Sequence, residues 1–247
     1  MRIEDLDTPR NVAGAAAEIL RTLEAFGMEW DGEVVYQSQH RDAYASALAQ
    51  LESRGLIYRC GCSRREIADS GIAGLDGLIY PGTCRERALA GGPAAIRIRT
   101  QDYDIEFEDG LQGLIRQNLA TEIGDFVLRR ADGVFSYQLA VVVDDAALGV
   151  TEVVRGRDLI GSTARQIYLQ RLLDYPIPAY RHVPVVCNER GEKLSKQTLA
   201  PPLDKTDPMP SLLSAAAFLG YPLARDDFDR PAQFWAYLIQ ELGKGCT

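Results

Sequence analysis

Two patterned stretches in the second half of the chain set the fold class. Residues 139–143 read Leu-Ala-Val-Val-Val and end in Asp144-Asp145; residues 150–154, Val-Thr-Glu-Val-Val, are read as another strand, closed by Arg155-Gly156. An apolar run bounded by charge is expected of a strand covered on both faces, as in a parallel sheet. The first part of the chain agrees. Residues 2–7 read as the end of a strand entering a turn. A helix follows Pro9 and Asn11, with Ala16, Ile19, Leu20, Leu23 and Phe26 at helical spacing and Gly27 as its stop. Residues 34–36 form a short strand, and a second helix after Ser38 carries Tyr44, Ala47, Leu48 and Leu51 on one face before Gly55. Strand, helix, strand, helix predicts an α/β fold.

From residue 56 the pattern changes. Cys60-Gly61-Cys62, a glycine-rich segment and Tyr80-Pro81-Gly82-Thr83-Cys84 make a small irregular module. Residues 94–99, 105–110 and 126–137 alternate as strands and hairpins, the last turning at Asp132-Gly133, so the middle of the chain reads as an antiparallel insertion. Three thiolates at this spacing suit a zinc ion, with Tyr80 as the nearest fourth ligand; the other reading is three buried cysteines with no metal. After the strand at 150–154, Asp158 or Ser162 is the expected cap of a helix that buries Ile167, Leu172 and Leu173. A last core strand is expected at 183–186, with Cys187 continuing its pattern, and helices at 212–219 and 234–242.

That last strand leads into Gly191-Glu192-Lys193-Leu194-Ser195-Lys196-Gln197. The chain has only four lysines against 23 arginines, and two of the four are Lys193 and Lys196. An ammonium on a flexible stem can follow a phosphate through a reaction, whereas a guanidinium is a rigid fork. The loop is therefore a candidate triphosphate site, although a bare pair of lysines of this kind is more often a solvated surface loop.

The net charge of −8 argues against a protein that coats nucleic acid nonspecifically. No apolar run approaches the ~20 residues of a membrane span, and the first residues lack the apolar core of a signal peptide. The expected setting is the cytoplasm, with no membrane partner. Five cysteines, an odd number, fit a reducing compartment.

Taken together, Arg-Ile-Glu-Asp-Leu-Asp-Thr-Pro-Arg at 2–10, the cysteine module with Tyr-x-x-x-Cys, Phe-Ser-Tyr-Gln-Leu-Ala-Val-Val-Val-Asp-Asp at 135–145, Val-Arg-Gly-Arg-Asp at 154–158 and Lys-Leu-Ser-Lys-Gln at 193–197 resemble the class I glutamyl-tRNA synthetases. Only fifty residues follow Gln197, too few for an anticodon-binding region, so the similarity is greatest to the short paralogues that modify the queuosine base of tRNA(Asp). The resemblance implies a Rossmann catalytic domain at 1–58 and 137–198, an inserted zinc-containing antiparallel module at 59–136 and a helical C-terminal region at 199–247. It implies that glutamate is activated with ATP and magnesium and then attached to queuosine in tRNA(Asp) by a monomer. Glu4 would hold the amino group of glutamate, Tyr137 and Arg155 would bind the amino acid, Lys196 would contact ATP with Lys193 beside it, and zinc on Cys60, Cys62, Tyr80 and Cys84 would be structural. Singly, each has a plainer reading: Glu4 a solvated strand end, Tyr137 a core aromatic, Arg155 a surface ion-pair member.

The family carries a first strand and a His-x-Gly-type phosphate loop ahead of the Arg-Ile-Glu-Asp stretch. The catalytic domain is therefore expected to be N-terminally incomplete in this sequence. A paralogue that binds tRNA or zinc without catalysis, and a fragment of an ordinary glutamyl-tRNA synthetase, are the competing expectations.

Overall fold

The computed structural model describes residues 1–7, 11–69, 73–74, 77–87, 89, 91–194 and 202–243. Its contacts group into two units: residues 4–7 with 36–183, and residues 1–3 with 8–35 and 184–247. The smaller unit begins with β1 (Arg2–Ile3) and α1 (Ala15–Ala25), and the chain then forms β2 (Val35–Tyr36), where the Val35 N–H donates to Met1 O. The helix α1 ends through Gly27 at φ 67°, as its sequence signal predicts.

The larger unit starts with α2 (Arg41–Ser53), whose buried face is Tyr44, Ala47, Leu48 and Leu51. β3 (Ile57–Cys60) follows, then α3 (Arg64–Ala68). The α3 start is a reciprocal cap: Ser63 Oγ accepts from the Glu66 N–H, and the Glu66 carboxylate accepts from the Ser63 N–H. The chain continues through β4 (Ala73–Gly74), β5 (Gly77–Leu78), β6 (Ala95–Ile98), β7 (Asp104–Asp109), β8 (Gly113–Asn118) and β9 (Val127–Arg129). It closes with α4 (Tyr137–Ala147), β10 (Glu152–Gly156), α5 (Ile160–Leu173) and β11 (Ala179–Val183).

Two sheets organise this unit. β3, β6 and β9 form an antiparallel sheet, and a second sheet runs in the order β10-β11-β7-β8, parallel from β10 to β7 and antiparallel at β8. Their common core includes Leu51, Ile98, Ile105, Leu119, Leu128, Leu139, Ile167 and Leu169, all essentially inaccessible to solvent. Each such aliphatic side chain contributes about 1.5–3 kcal/mol by leaving water.

Four local expectations are corrected. Residues 139–143 are not a strand but the middle of α4, in which every side chain from Leu139 to Asp144 is buried. A short apolar run looks the same in a two-face-buried strand and in a helix buried all round, and here Ser136 starts a helix by accepting the Leu139 N–H. Tyr137, expected at the end of a hairpin, is thereby the first residue of that helix; the turn at 130–134 does form, closed by the Arg130 N–H to Val134 O. The last core strand is Ala179–Val183 and not 183–186, because Pro184 brings no N–H to the ladder. Beyond it Val186 and Cys187 are exposed. Finally, α5 has Leu159 at its cap position with no side-chain bond; Asp158 lies in the preceding turn and Ser162 Oγ instead accepts from Gln138 Nε2.

In the smaller unit α6 (Met209–Phe218) and α7 (Pro231–Gly243) pack Met209, Leu212, Ala216, Phe234 and Leu238 with Phe26 and Phe228. Trp235 Nε1 donates to Phe26 O at 2.8 Å. Among the described residues no helix is long and apolar enough to cross a membrane.

Candidate functional site

The carboxyl half of β10 carries Arg155, at the side of a parallel sheet where ligands characteristically bind. Its guanidinium makes three hydrogen bonds: Nε to His182 Nε2 at 3.1 Å, Nη2 to Thr163 Oγ1 at 2.8 Å and Nη1 to the Tyr137 hydroxyl at 3.3 Å. Tyr137 in turn lines a cavity of about 480 Å³ together with Glu4, Leu6, Asp7, Gln37 and Arg130. The structure therefore brings Glu4 and Tyr137 to one cavity and joins Arg155 to it through Tyr137. A carboxylate lining the cavity and a guanidinium bonded to a tyrosine that lines it are the charges that can take the ammonium and a carboxylate of an amino acid.

The walls of this cavity are fixed by further contacts that the sequence did not suggest. Asp5 accepts from both the backbone N–H and the hydroxyl of Ser38, which ties the segment bearing Glu4 to the start of α2. Arg130 spans Asp7, at 3.1 Å, and Asp132. On α4 the buried Asp144 carboxylate accepts from Tyr44 and from Gln37 Nε2, both at 2.8 Å, with His40 Nδ1 at 3.1 Å.

The metal-site residues also come together. Cys60 ends β3, and its sulfur lies with those of Cys62 and Cys84 within 4.8 Å of one another. Cys62 Sγ is 3.5 Å from Cys84 Sγ and 3.5 Å from the Tyr80 hydroxyl, which also accepts the Cys84 N–H at 2.8 Å. Ligands about 2.3 Å from a tetrahedral zinc lie roughly 3.8 Å apart, so the spacing fits one ion held by three sulfurs and one oxygen. Burial alone would raise the Cys84 thiol, but the Tyr80 hydroxyl and the Gly61 backbone outweigh it and bring Cys84 down to about 7, while burial pushes the neighbouring Cys62 thiol and Tyr80 hydroxyl up. Gly124 lets the segment before Tyr80 close in: a Cβ there would stand 2.5 Å from Ile79 Cγ2. The face of Tyr80 is covered by the Arg97 guanidinium 4.0 Å from the ring centre.

The lysine loop belongs to the smaller unit. Residues 186–194 form a hairpin in which the Leu194 N–H donates to Val186 O and the Asn188 N–H to Glu192 O. Asn188 Oδ1 accepts from the Arg190 and Glu192 N–H groups, and Gly191 takes φ 77° at the turn. Lys193 pairs with Cys187 in a single bridge. Lys196 lies outside the described residues.

A family described as tRNA synthetases class I (E and Q), catalytic domain, matches residues 1–207, and the chain belongs to it. Among individual proteins the chain is similar to the Glutamyl-Q tRNA(Asp) synthetase of Aromatoleum aromaticum, 56% identical over 89% of this chain and 70% of that protein. Its counterpart from Neisseria meningitidis serogroup C strain FAM18 is 51% identical over 99% of this chain and 84% of that protein. Of solved structures, a glutamate tRNA ligase from Elizabethkingia meningosepticum in complex with its amino acid superposes with a TM-score of 0.67 at 27% identity over 79% of this chain. The chain spans 44% of that longer protein. The kinship inferred from the spaced motifs is borne out.

Proposed function

We propose that this protein activates glutamate with ATP and transfers the glutamyl group to the queuosine base of tRNA(Asp). The carrying observation is that Glu4 and Tyr137 line one cavity, with Arg155 bonded to Tyr137, in a chain whose relatives at 50 to 57% identity are named for that reaction.

In this reading the glutamate carboxylate attacks the α-phosphorus of ATP, pyrophosphate leaves, and the mixed anhydride then gives up its acyl group to queuosine while AMP departs. Glu4 takes the substrate ammonium, and Tyr137 and Arg155 take the other polar end. Lys193 and Lys196 are assigned to the phosphates, where a cation that follows the departing pyrophosphate lowers the barrier. Cys60, Cys62, Tyr80 and Cys84 would hold zinc, and with four protein ligands the ion would serve to hold the module together. The protein works as a monomer.

Two measurements test the reading together: glutamate-dependent ATP–pyrophosphate exchange, and transfer of labelled glutamate to tRNA(Asp) with and without queuosine. The expected result is exchange with glutamate and label only on the queuosine-containing tRNA. Label on the 3′ end of tRNA(Glu) would make this an ordinary glutamyl-tRNA synthetase; tRNA binding without exchange would make it a noncatalytic paralogue.

A further inference from the structure

Behind Arg155 lies a buried pair that the assignments above leave without a role. His182 and Asp109 are 0% and 1% exposed, and His182 Nδ1 is 2.6 Å from Asp109 Oδ2. They stand on adjacent strands. Arg155 and His182 are register partners across β10 and β11, and Tyr180, two residues before His182, pairs with Asp109 across β11 and β7. The three side chains therefore run in a line across the parallel part of the sheet, ending at Tyr137.

The hydrogen-bond roles in this line are forced. Arginine offers only donors, so the bond from Arg155 Nε requires His182 Nε2 to accept. Nδ1 must then carry the ring proton, and it meets a carboxylate. The other oxygen of that carboxylate, Asp109 Oδ1, accepts from the backbone N–H groups of Leu111 at 3.1 Å, Gln112 at 2.9 Å and His182 at 3.2 Å. The carboxylate cannot turn without abandoning all three. Thr163, also fully buried, fixes the second edge of the guanidinium, and the Tyr180 ring lies 5.5 Å from its central carbon.

We propose that Asp109 and His182 are positioning residues: they fix the imidazole tautomer that accepts from Arg155 and so hold the guanidinium in its amino-acid-binding orientation. This rests on the reading of Arg155 as a glutamate contact. Buried polar groups are costly unless paired, and here each pairing leads to the next and finally to the arginine.

The decisive variant is Asp109→Asn. The three backbone donors keep the amide oxygen at the Oδ1 position, so its NH2 faces His182 Nδ1. That nitrogen becomes the acceptor, the proton moves to Nε2, and Nε2–H then opposes the Arg155 Nε–H and competes with Arg155 Nη2 for Thr163 Oγ1, which lies 3.2 Å from Nε2.

Nitrogen-15 NMR of the histidines should show the Nδ1–H tautomer of His182 in the parent and the Nε2–H tautomer in the folded variant. Pyrophosphate exchange should show a glutamate KM raised roughly tenfold or more with ATP KM unchanged, as expected for loss of a charge-assisted contact to one substrate. The single variant His182→Gln, whose amide oxygen can accept from Arg155 while its NH2 donates to the Asp109 carboxylate, should leave glutamate KM close to that of the parent. Thr163→Val, which removes one acceptor and buries no charge, should raise glutamate KM several-fold even if Asp109→Asn does not fold.

Arg155→Ala separates the two claims. If it impairs glutamate use while Asp109→Asn and Thr163→Val leave glutamate KM unchanged, the positioning role is overturned and the glutamate site stands. If Arg155→Ala itself leaves glutamate KM unchanged, the site assignment fails and the positioning role falls with it, whatever tautomer the NMR reports.

Discussion

The Tyr137 hydroxyl sits 3.3 Å from Arg155 Nη1, joining the first residue of α4 to the carboxyl half of β10. One side chain thus touches both the arginine and the cavity that Glu4 lines.

If that cavity takes glutamate, Arg155→Ala and Glu4→Ala each weaken glutamate use more than ATP use. A lost charge-assisted bond at Arg155 is worth about 1.5–3 kcal/mol, which is roughly ten- to hundredfold in glutamate KM. Pyrophosphate-exchange kinetics at varied glutamate and varied ATP measure both. Equal effects on the two substrates would move the site elsewhere.

The cysteine module should hold one zinc per chain. Elemental analysis of the purified protein tests the stoichiometry, and zinc content in Tyr80→Phe tests the fourth ligand. Stripping the ion with a chelator should lower the unfolding temperature, because ligand binding at such a site is also folding free energy. A metal-free protein of undiminished stability would count against the assignment.

Lys196→Ala should lower the turnover of glutamate activation while leaving ATP KM within about twofold, since a cation engaged mainly with departing pyrophosphate acts on the transition state more than on bound ATP. Normal turnover with only a raised ATP KM would contradict this.

Tyr44→Phe removes a hydroxyl from the buried Asp144 carboxylate, leaving Gln37 and His40 on it. A hydrogen bond to a charged group contributes about 1.5–3 kcal/mol, so the variant should unfold several degrees lower. Denaturant or thermal melts read this directly, and an unchanged midpoint would show that water or a rearranged side chain replaces the hydroxyl.

Much of the local structure was legible because it depends on neighbours in sequence. The face of α2 follows from Tyr44, Ala47, Leu48 and Leu51 at helical spacing, and the turn at Asp132-Gly133 from a residue pair that tolerates positive φ, which Gly133 adopts at 88°. The spacing of Cys60, Cys62 and Cys84 with Tyr80 anticipated a cluster whose sulfurs do converge. Residues 139–143 marked the limit of such reasoning. Five apolar residues in a row state that the segment is buried, and only the helices and strands around it decide that it is a helix.

The pair behind Arg155 lay beyond sequence reasoning altogether. Asp109, Arg155 and His182 are separated by 46 and 27 positions, and nothing local to any of them announces the others. The chain by itself determined the residue types, the helix faces and the motifs that mark the family. Strand order and register decided which of those residues meet, because a hydrogen bond needs atoms within about 3 Å and only the pairing of β10, β11 and β7 brings residues so far apart in the chain to that distance.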